Sequence, residues 1–153
     1  MQRILTSLSL SIALTATPCR GAGKDPNPVT YRTVKPNATY QRPDSAQPFL
    51  AIKVTPPTAK GPTKDFAIEI VNMGKVTIAV VTFDLTIVTT GGAELSSSIQ
   101  GDDIRSGQAA IKKLKPATKE SPQVTKVSLD NVRIIDTNAT ALKMPVYVDL
   151  VAN

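Results

Sequence analysis

Strict alternation of apolar and polar residues is the feature of this sequence that most restricts its fold. The clearest instance is a run of seven residues: Val81, Thr82, Phe83, Asp84, Leu85, Thr86 and Ile87. Successive side chains of a strand point to opposite faces, so this run predicts a strand that buries one face. The β-branched residues Val, Ile and Thr, which favour pleated surfaces over helices, account for 44 of the 153 residues. The sequence therefore predicts an all-β fold.

Turn residues divide the chain beyond Pro48 into about seven strand segments. They cover residues 50–54, 66–71, 76–87, 94–99, 109–114, 124–135 and 145–151. The parity of the apolar residues changes near Val80, which predicts a bulge there. A further turn is expected, framed by Gly101-Asp102-Asp103 and Ser106-Gly107. Short, regularly spaced strands are typical of an immunoglobulin-like β-sandwich. We therefore expect a single such domain over residues 49–153.

A Pro-rich segment precedes this domain. Residues 24–48 contain five prolines and few large apolar side chains, so they cannot bury enough surface to offset the entropy of ordering. The prediction is an extended, mostly disordered arm. Tyr31 and Tyr40 each follow a threonine and lie nine residues apart. They belong either to a solvated spacer or to a short docking peptide.

The first 23 residues have the layout of a secretory signal peptide. Arg3 is followed by thirteen uncharged and largely apolar residues, 4–16, and small residues come after them. That stretch is too short to span a bilayer comfortably, and no later run approaches the ~20 apolar residues of a membrane helix. We therefore predict an exported chain that is periplasmic or extracellular.

Cys19, the single cysteine, leaves two alternatives. It lies where a bacterial lipoprotein carries its acylated cysteine, which would make the chain an outer-membrane lipoprotein, although Pro18 departs from the usual pattern. Alternatively, Cys19 is removed with the leader, and the mature chain has neither a thiol nor a disulfide.

The titratable residues indicate binding rather than catalysis. The chain contains no histidine, which excludes Ser-His-Asp and Cys-His nucleophiles, His-based zinc sites and an imidazole base. Asp102 and Asp103 form the one adjacent acidic pair, but they lack the alternating oxygen ligands of a calcium loop. Gly91 and Gly92 lack the Lys-Ser/Thr of a phosphate loop. We therefore expect no enzyme activity, metal or cofactor.

A basic cluster lies in the second half of the chain. It consists of five lysines within fifteen residues: Lys112, Lys113, Lys115, Lys119 and Lys126. Only one acid lies among them, and the whole chain has a formal net charge of +6. Such a cluster suits an envelope protein or an anionic surface polymer as partner. The alternative is an edge strand whose lysines discourage aggregation. Nucleic acid is not expected, because no aromatic residues interleave with the lysines to stack bases.

The stretch from Asp65 to Leu95 carries a resemblance to a known family. Its features are Asn72-Met73-Gly74 at a strand end, then Val80-Val81-Thr82-Phe83-Asp84-Leu85-Thr86 and a Gly-bearing turn, with Ser106-Gly107-Gln108 at a later turn. In these features the chain resembles the FxLYD-type immunoglobulin-like domains of bacterial exported proteins, with Thr86-Ile87 in place of the motif's Tyr-Asp. The resemblance implies a binding or structural module of the cell envelope and no catalytic residues.

These patterns together predict a non-enzymatic exported module that binds or scaffolds a partner in the cell envelope. Contact is expected through sheet edges, turns and the lysine cluster, with Tyr31 and Tyr40 as further contact residues. In strand addition, residues 29–34 would act as the donor or the domain as the acceptor. Two alternatives stay open: a periplasmic assembly or secretion accessory of chaperone-like character, and a hydrolase that uses carboxylates alone.

Overall fold

The computed structural model describes residues 27–36, 47–58, 64–116 and 123–152. Within these residues the chain forms eight strands and no helix, which confirms the predicted all-β class. In chain order the strands are β1 (Val29–Val34), β2 (Leu50–Thr55), β3 (Phe66–Asn72), β4 (Ile78–Thr89), β5 (Glu94–Ile104), β6 (Ala109–Leu114), β7 (Val124–Asp136) and β8 (Val146–Val151).

The strands form two sheets that pack against each other as a β-sandwich. One sheet has five strands in the order β1-β8-β2-β3-β6, and the other has three in the order β5-β4-β7. Pairing is antiparallel except at β8, which lies parallel to both β1 and β2. Apolar side chains from both sheets share one core, in which Phe66, Ile70, Phe83, Leu85 and Val148 are each at most 2% exposed. Burial of this shared core holds the sheets together.

Strand β1 lies within the segment that the sequence predicts to be a disordered arm, and that prediction is wrong for residues 29–34. The strand pairs with β8 along its whole length, from Val29 beside Val146 to Val34 beside Val151. The small apolar area of this segment underestimates how well it is ordered, because a ladder of backbone hydrogen bonds and polar side-chain contacts also hold it in place. β1 is the strand beyond the seven expected. The leader, Cys19 and Tyr40 lie outside the described residues.

The bulge expected near Val80 is present. The register between β4 and β7 shifts between Ile78 and Val80, so that both Ile78 and Val81 are buried in the core. A bulge is what allows one strand to keep an apolar face through a change of parity.

The turn expected between Gly101 and Gly107 is present only in its second half: Ser106 and Gly107 form a turn, whereas residues 101–104 continue β5. Gly101 is buried against both sheets, and a Cβ placed there would lie 3.0–3.1 Å from side-chain carbons of Ile104, Ile70 and Val81. The glycine therefore serves close packing of the two sheets and not a reversal of the chain.

Asn72 joins two loops at one end of the sandwich. Its buried side-chain amide donates to the carbonyl oxygens of Val76 and Ile104, both at 2.8 Å, and its Oδ1 accepts from the Gly74 N–H at 2.9 Å. Its backbone carbonyl also accepts a hydrogen bond from the Gly107 N–H at 2.7 Å. The two turn motifs that carry the sequence resemblance therefore lie against each other.

Candidate binding site

The five-lysine cluster predicted from the sequence is divided between two sides of the sandwich. Lys112 and Lys113 lie in β6, an outer strand of the five-stranded sheet, and Lys115 follows directly. Lys126 lies in β7, an outer strand of the three-stranded sheet. Strand β6 contacts β5, whereas β7 faces β1 on the opposite side. The prediction of one basic patch is wrong for these four residues, because the chain changes sheets between β6 and β7. The fifth lysine, Lys119, lies outside the described residues.

Strand β6 carries charge on both of its faces. Lys112 is half-buried in the row that faces the core, opposite Ile68 of β3. Lys113 is exposed on the outer face, opposite Ala67. An inward-pointing charge and exposed lysines on an edge strand disfavour pairing with another strand. The geometry of β6 therefore supports edge protection for these lysines.

Tyr31 reaches from β1 to the three-stranded sheet. Its hydroxyl accepts a hydrogen bond of 2.8 Å from the backbone N–H of Leu129 in β7. Nearer the chain's start, the Asn27 side-chain amide donates to the Val132 carbonyl oxygen at 3.3 Å. Residue numbers therefore rise along β1 while they fall along β7, so the two strands run antiparallel. Because an aromatic side chain spans the gap between them, β1 and β7 are too far apart to pair directly.

The space beside Tyr31 is a groove of about 390 Å³ between the two sheets. Residues from β1, β7 and β8 line it: Tyr31, Arg32, Thr33, Thr125, Lys126, Val127, Ser128, Val148 and Leu150. The floor is aliphatic, because Val148 is buried and Leu150 is half-buried. Of the two cationic residues in the lining, Arg32 is already paired with Asp149 on the outer face of the sheet, and no carboxylate belongs to the lining. The groove therefore suits an apolar occupant that carries negative charge near Lys126.

Strand β1 presents backbone groups to this groove. Along β1, the carbonyl oxygens of Pro28 and Val34 accept hydrogen bonds from the β8 side. Because backbone groups alternate in direction along a strand, the N–H and C=O groups of Tyr31 and Thr33 point away from β8. These groups therefore lie along the free edge of β1, which borders the groove.

Strand β7 presents its own backbone groups in the same way. The Leu129 N–H points away from β4, since it donates to the Tyr31 hydroxyl. By the same alternation the N–H and C=O of Val127, two residues earlier, also point away from β4. In the part of the chain that the structure describes, β1 and β7 are both outermost strands. The groove thus lies between two strand edges that no described strand occupies.

Arg32 fastens β1 to β8 on the outer face of the five-stranded sheet. Its Nε and Nη2 donate to Oδ1 and Oδ2 of Asp149 at 2.7 and 2.9 Å. The Asp149 side chain is 4% exposed and that of Arg32 is 31% exposed. The guanidinium carbon also lies 4.9 Å from the centre of the Tyr147 ring, which packs edge-on against Phe49. This two-pronged ion pair holds one wall of the groove in place.

Two residues proposed from the sequence, Tyr31 and Lys126, meet at the groove. Residues such as Val127 and Leu150 were not singled out, because their role depends on β1 lying beside β8. That pairing joins positions as much as 117 residues apart, such as Arg32 and Asp149. One signal for the site was present in the sequence, namely the strand-like segment 29–34. This segment does add as a strand, but to β8 of its own domain.

Asp84 lies on the polar outer face of the three-stranded sheet. Its carboxylate accepts hydrogen bonds from Asn131 Nδ2 at 2.7 Å and from the Ser98 hydroxyl at 2.6 Å. These bonds, that of Asn131 foremost, lower the pKa of the Asp84 carboxyl below its ordinary value of 3.8, against the opposing effect of desolvation.

We expect Asn131→Gly to raise the pKa of Asp84 toward 3.8, and Ser98→Ala to raise it less. Glycine accepts the positive φ of 54° at position 131. A lowered folded-state pKa stabilises the folded protein above the pKa of the unfolded carboxyl, and this contribution is lost as pH falls through the folded-state pKa. Carboxyl-detected NMR titration measures both values. An Asp84 pKa unchanged in Asn131→Gly would contradict the assigned cause.

Residues 27–36, 47–58, 64–116 and 123–152 contain no cluster of three or more potential metal ligands. The same ranges contain no helix with the length and apolarity needed to cross a membrane.

The fold and the groove define an all-β protein of two packed sheets with an open side between β1 and β7. A scan against protein-family models and searches of curated proteins and of solved structures returned no match for this chain.

Proposed function

We propose that this chain is an exported, non-enzymatic binding module of the cell envelope that holds an extended polypeptide segment as an added strand. The observation that carries the proposal is the groove between β1 and β7, with an aliphatic floor and two backbone edges. Strand addition is a general mode of peptide recognition, in which main-chain hydrogen bonds supply affinity and side-chain contacts supply specificity.

The width of the open side supports one added strand. Packed sheets lie about 10 Å apart, which is about twice the ~4.8 Å spacing of neighbouring strands in a sheet. A single strand placed between β1 and β7 can therefore bond to both. Tyr31 now fills part of this gap with its ring and bonds its hydroxyl to Leu129, which is the kind of contact that an inserted strand would make.

The length and charge of the groove indicate which kind of peptide it would accept. From Tyr31, which closes one end, the lining extends to Thr33 on β1 and to Thr125 on β7, a distance of about three or four residues of strand at ~3.3 Å each. Alternate apolar side chains would rest on Val148 and Leu150. Lys126, at the rim, favours an acidic residue beside the apolar ones.

The chaperone-like alternative uses the same groove and differs in selectivity. A dedicated module accepts one kind of segment, whereas a secretion accessory accepts many unfolded clients. The groove gives the carboxylate-only hydrolase no support, because no Asp or Glu lines it. Export itself rests on the leader at residues 1–23.

A fluorescently labelled peptide tests the proposal. The probe has eight residues, with valine at alternate positions, threonine between them and glutamate at both ends. We expect Val127→Pro to weaken binding of this probe about tenfold, because proline removes a backbone N–H that points into the groove while leaving the bonds to β4 intact. Fluorescence anisotropy measures the affinity.

The matched control is Ile111→Pro on β6. The pairing of β6 with β3 makes the Ile111 N–H point outward at the edge of the five-stranded sheet that lies farthest from β1. Ile111→Pro is expected to leave probe affinity unchanged. Equal affinity of wild type and Val127→Pro, or a loss confined to Ile111→Pro, would contradict binding in the groove.

A further inference from the structure

Three exposed cations meet at the end of the sandwich where the described chain begins. They lie in three different loops: Lys75 between β3 and β4, Arg105 between β5 and β6, and Lys143 between β7 and β8. We name this set the basic end. None of the three belongs to the lysine cluster predicted from the sequence.

Direct contacts hold the three loops together. The Ser106 hydroxyl donates to the Gly74 carbonyl oxygen at 2.6 Å, which joins the first two loops. A Cβ placed on Gly74 would lie 3.9 Å from the terminal methyl carbon of Met144, which brings the third loop to the same place. Lys75, Arg105 and Lys143 are each the immediate chain neighbour of one of these contact residues.

The cations of the basic end are not neutralised within the described part of the chain. Its salt bridge joins Arg32 to Asp149 and involves none of the three. Three acids lie nearby. Asp136 is 9% exposed and its Oδ1 accepts two backbone N–H bonds. Asp102 and Asp103 are exposed near the end of β5, and Asp102 accepts a hydrogen bond of 2.7 Å from Gln100 Nε2. The loops themselves therefore present positive charge outward.

An exposed apolar side chain accompanies these charges. Val76 follows Lys75 directly and is 46% exposed. A small apolar group flanked by cations suits the interface of a bilayer, where the side chain enters the acyl boundary and the cations remain among the head groups.

The start of the chain approaches the same end. Asn27 Oδ1 accepts a hydrogen bond from the Met144 N–H at 3.1 Å, beside Lys143. Ten residues, 17–26, separate Asn27 from the apolar stretch that ends at residue 16, and ten extended residues reach about 35 Å at most. The leader before its removal, or a lipid on Cys19 afterwards, would keep this end of the sandwich nearest the bilayer.

We propose that the basic end, formed by Lys75, Arg105 and Lys143, docks on an anionic lipid surface. Each cation near such a surface adds attraction that falls off within a Debye length. Three cations together give about a hundredfold preference for anionic over neutral lipid. This is enough to orient a chain that has a second attachment to the membrane, and it is independent of the groove.

Vesicle sedimentation tests the proposal on the chain from residue 24 onward, which retains all eight strands. The vesicles contain phosphatidylcholine alone or with about 40% phosphatidylglycerol. We expect binding only to the anionic vesicles, and its loss in about 1 M salt. The variant K75E/R105E/K143E is expected to lose this binding.

The matched control reverses three cations elsewhere. K64E/K113E/K115E changes the net charge by the same amount at the opposite end and on β6, and it is expected to keep most of the binding. Equal loss in both variants would overturn the proposal, because net charge alone would then be sufficient. Binding to inorganic polyphosphate through the basic end, with none to the vesicles, would also overturn it. If the triple reversal fails to fold, K75Q/R105Q/K143Q answers the same question.

Discussion

Arg32→Ala is expected to lower the free energy of unfolding by about 3 kcal/mol. The change leaves the Asp149 carboxylate, only 4% exposed, without its two guanidinium hydrogen bonds. Arg32 is itself 31% exposed, so solvent reduces the effect below that of a fully buried pair. Because Arg32 also fastens β1 to β8, the amide protons of β1 should exchange faster in Arg32→Ala than in wild type, and this increase should exceed that for the amide protons of β3. Urea unfolding and amide hydrogen exchange measure the two effects.

Two further variants identify the cause. Lys35→Ala removes an exposed cation directly after β1 and is expected to change stability by less than about 0.5 kcal/mol. Asp149→Asn in the Arg32→Ala background is expected to recover part of the loss, because it removes the buried negative charge. If Arg32→Ala were as stable as Lys35→Ala, β1 would not depend on this ion pair.

Asn72→Ala is expected to cost about 3 kcal/mol or more of stability. Alanine leaves the Val76 and Ile104 carbonyl oxygens and the Gly74 N–H without their partner, at a position that is fully buried. Each buried polar group left unpaired costs about 1–3 kcal/mol, and water reaching the loops recovers part of it. Urea unfolding measures the difference.

Asn138→Ala is the control for this substitution. Asn138 lies in an exposed loop near the same end, and the bond it makes to Asp136 comes from its backbone N–H. We expect that variant to remain close to wild type. A loss of less than about 1 kcal/mol in Asn72→Ala would show that the two turn motifs do not depend on this side chain.

The strands that bury one face could be predicted from the sequence, because alternation is a local signal. Val81–Ile87 and the change of parity near Val80 belong to this class, and both are present. Gly101 shows the limit of local signals. A glycine beside two aspartates favours a turn, but here close packing against Ile70 and Val81 requires a residue without a side chain.

The candidate site could not be predicted in the same way, since it depends on which strands become neighbours. Arg32 and Asp149 lie across from each other only because β1 pairs with β8 in one register. Lys113 and Lys126 are close in sequence, but the chain passes from one sheet to the other between them. Pairing and register arise from the packing of the whole core and leave no mark at single residues.

Above all, we propose that the groove between β1 and β7 accepts a polypeptide segment as a strand. Amide hydrogen exchange, followed residue by residue by NMR with and without the alternating valine probe, tests it most directly. Binding as a strand predicts slower exchange at Thr33 and Val127, whose N–H groups face the groove, and little change at Ile111 on the far edge. Slower exchange at Ile111 alone, or protection at neither edge when the probe is bound, would contradict the claim.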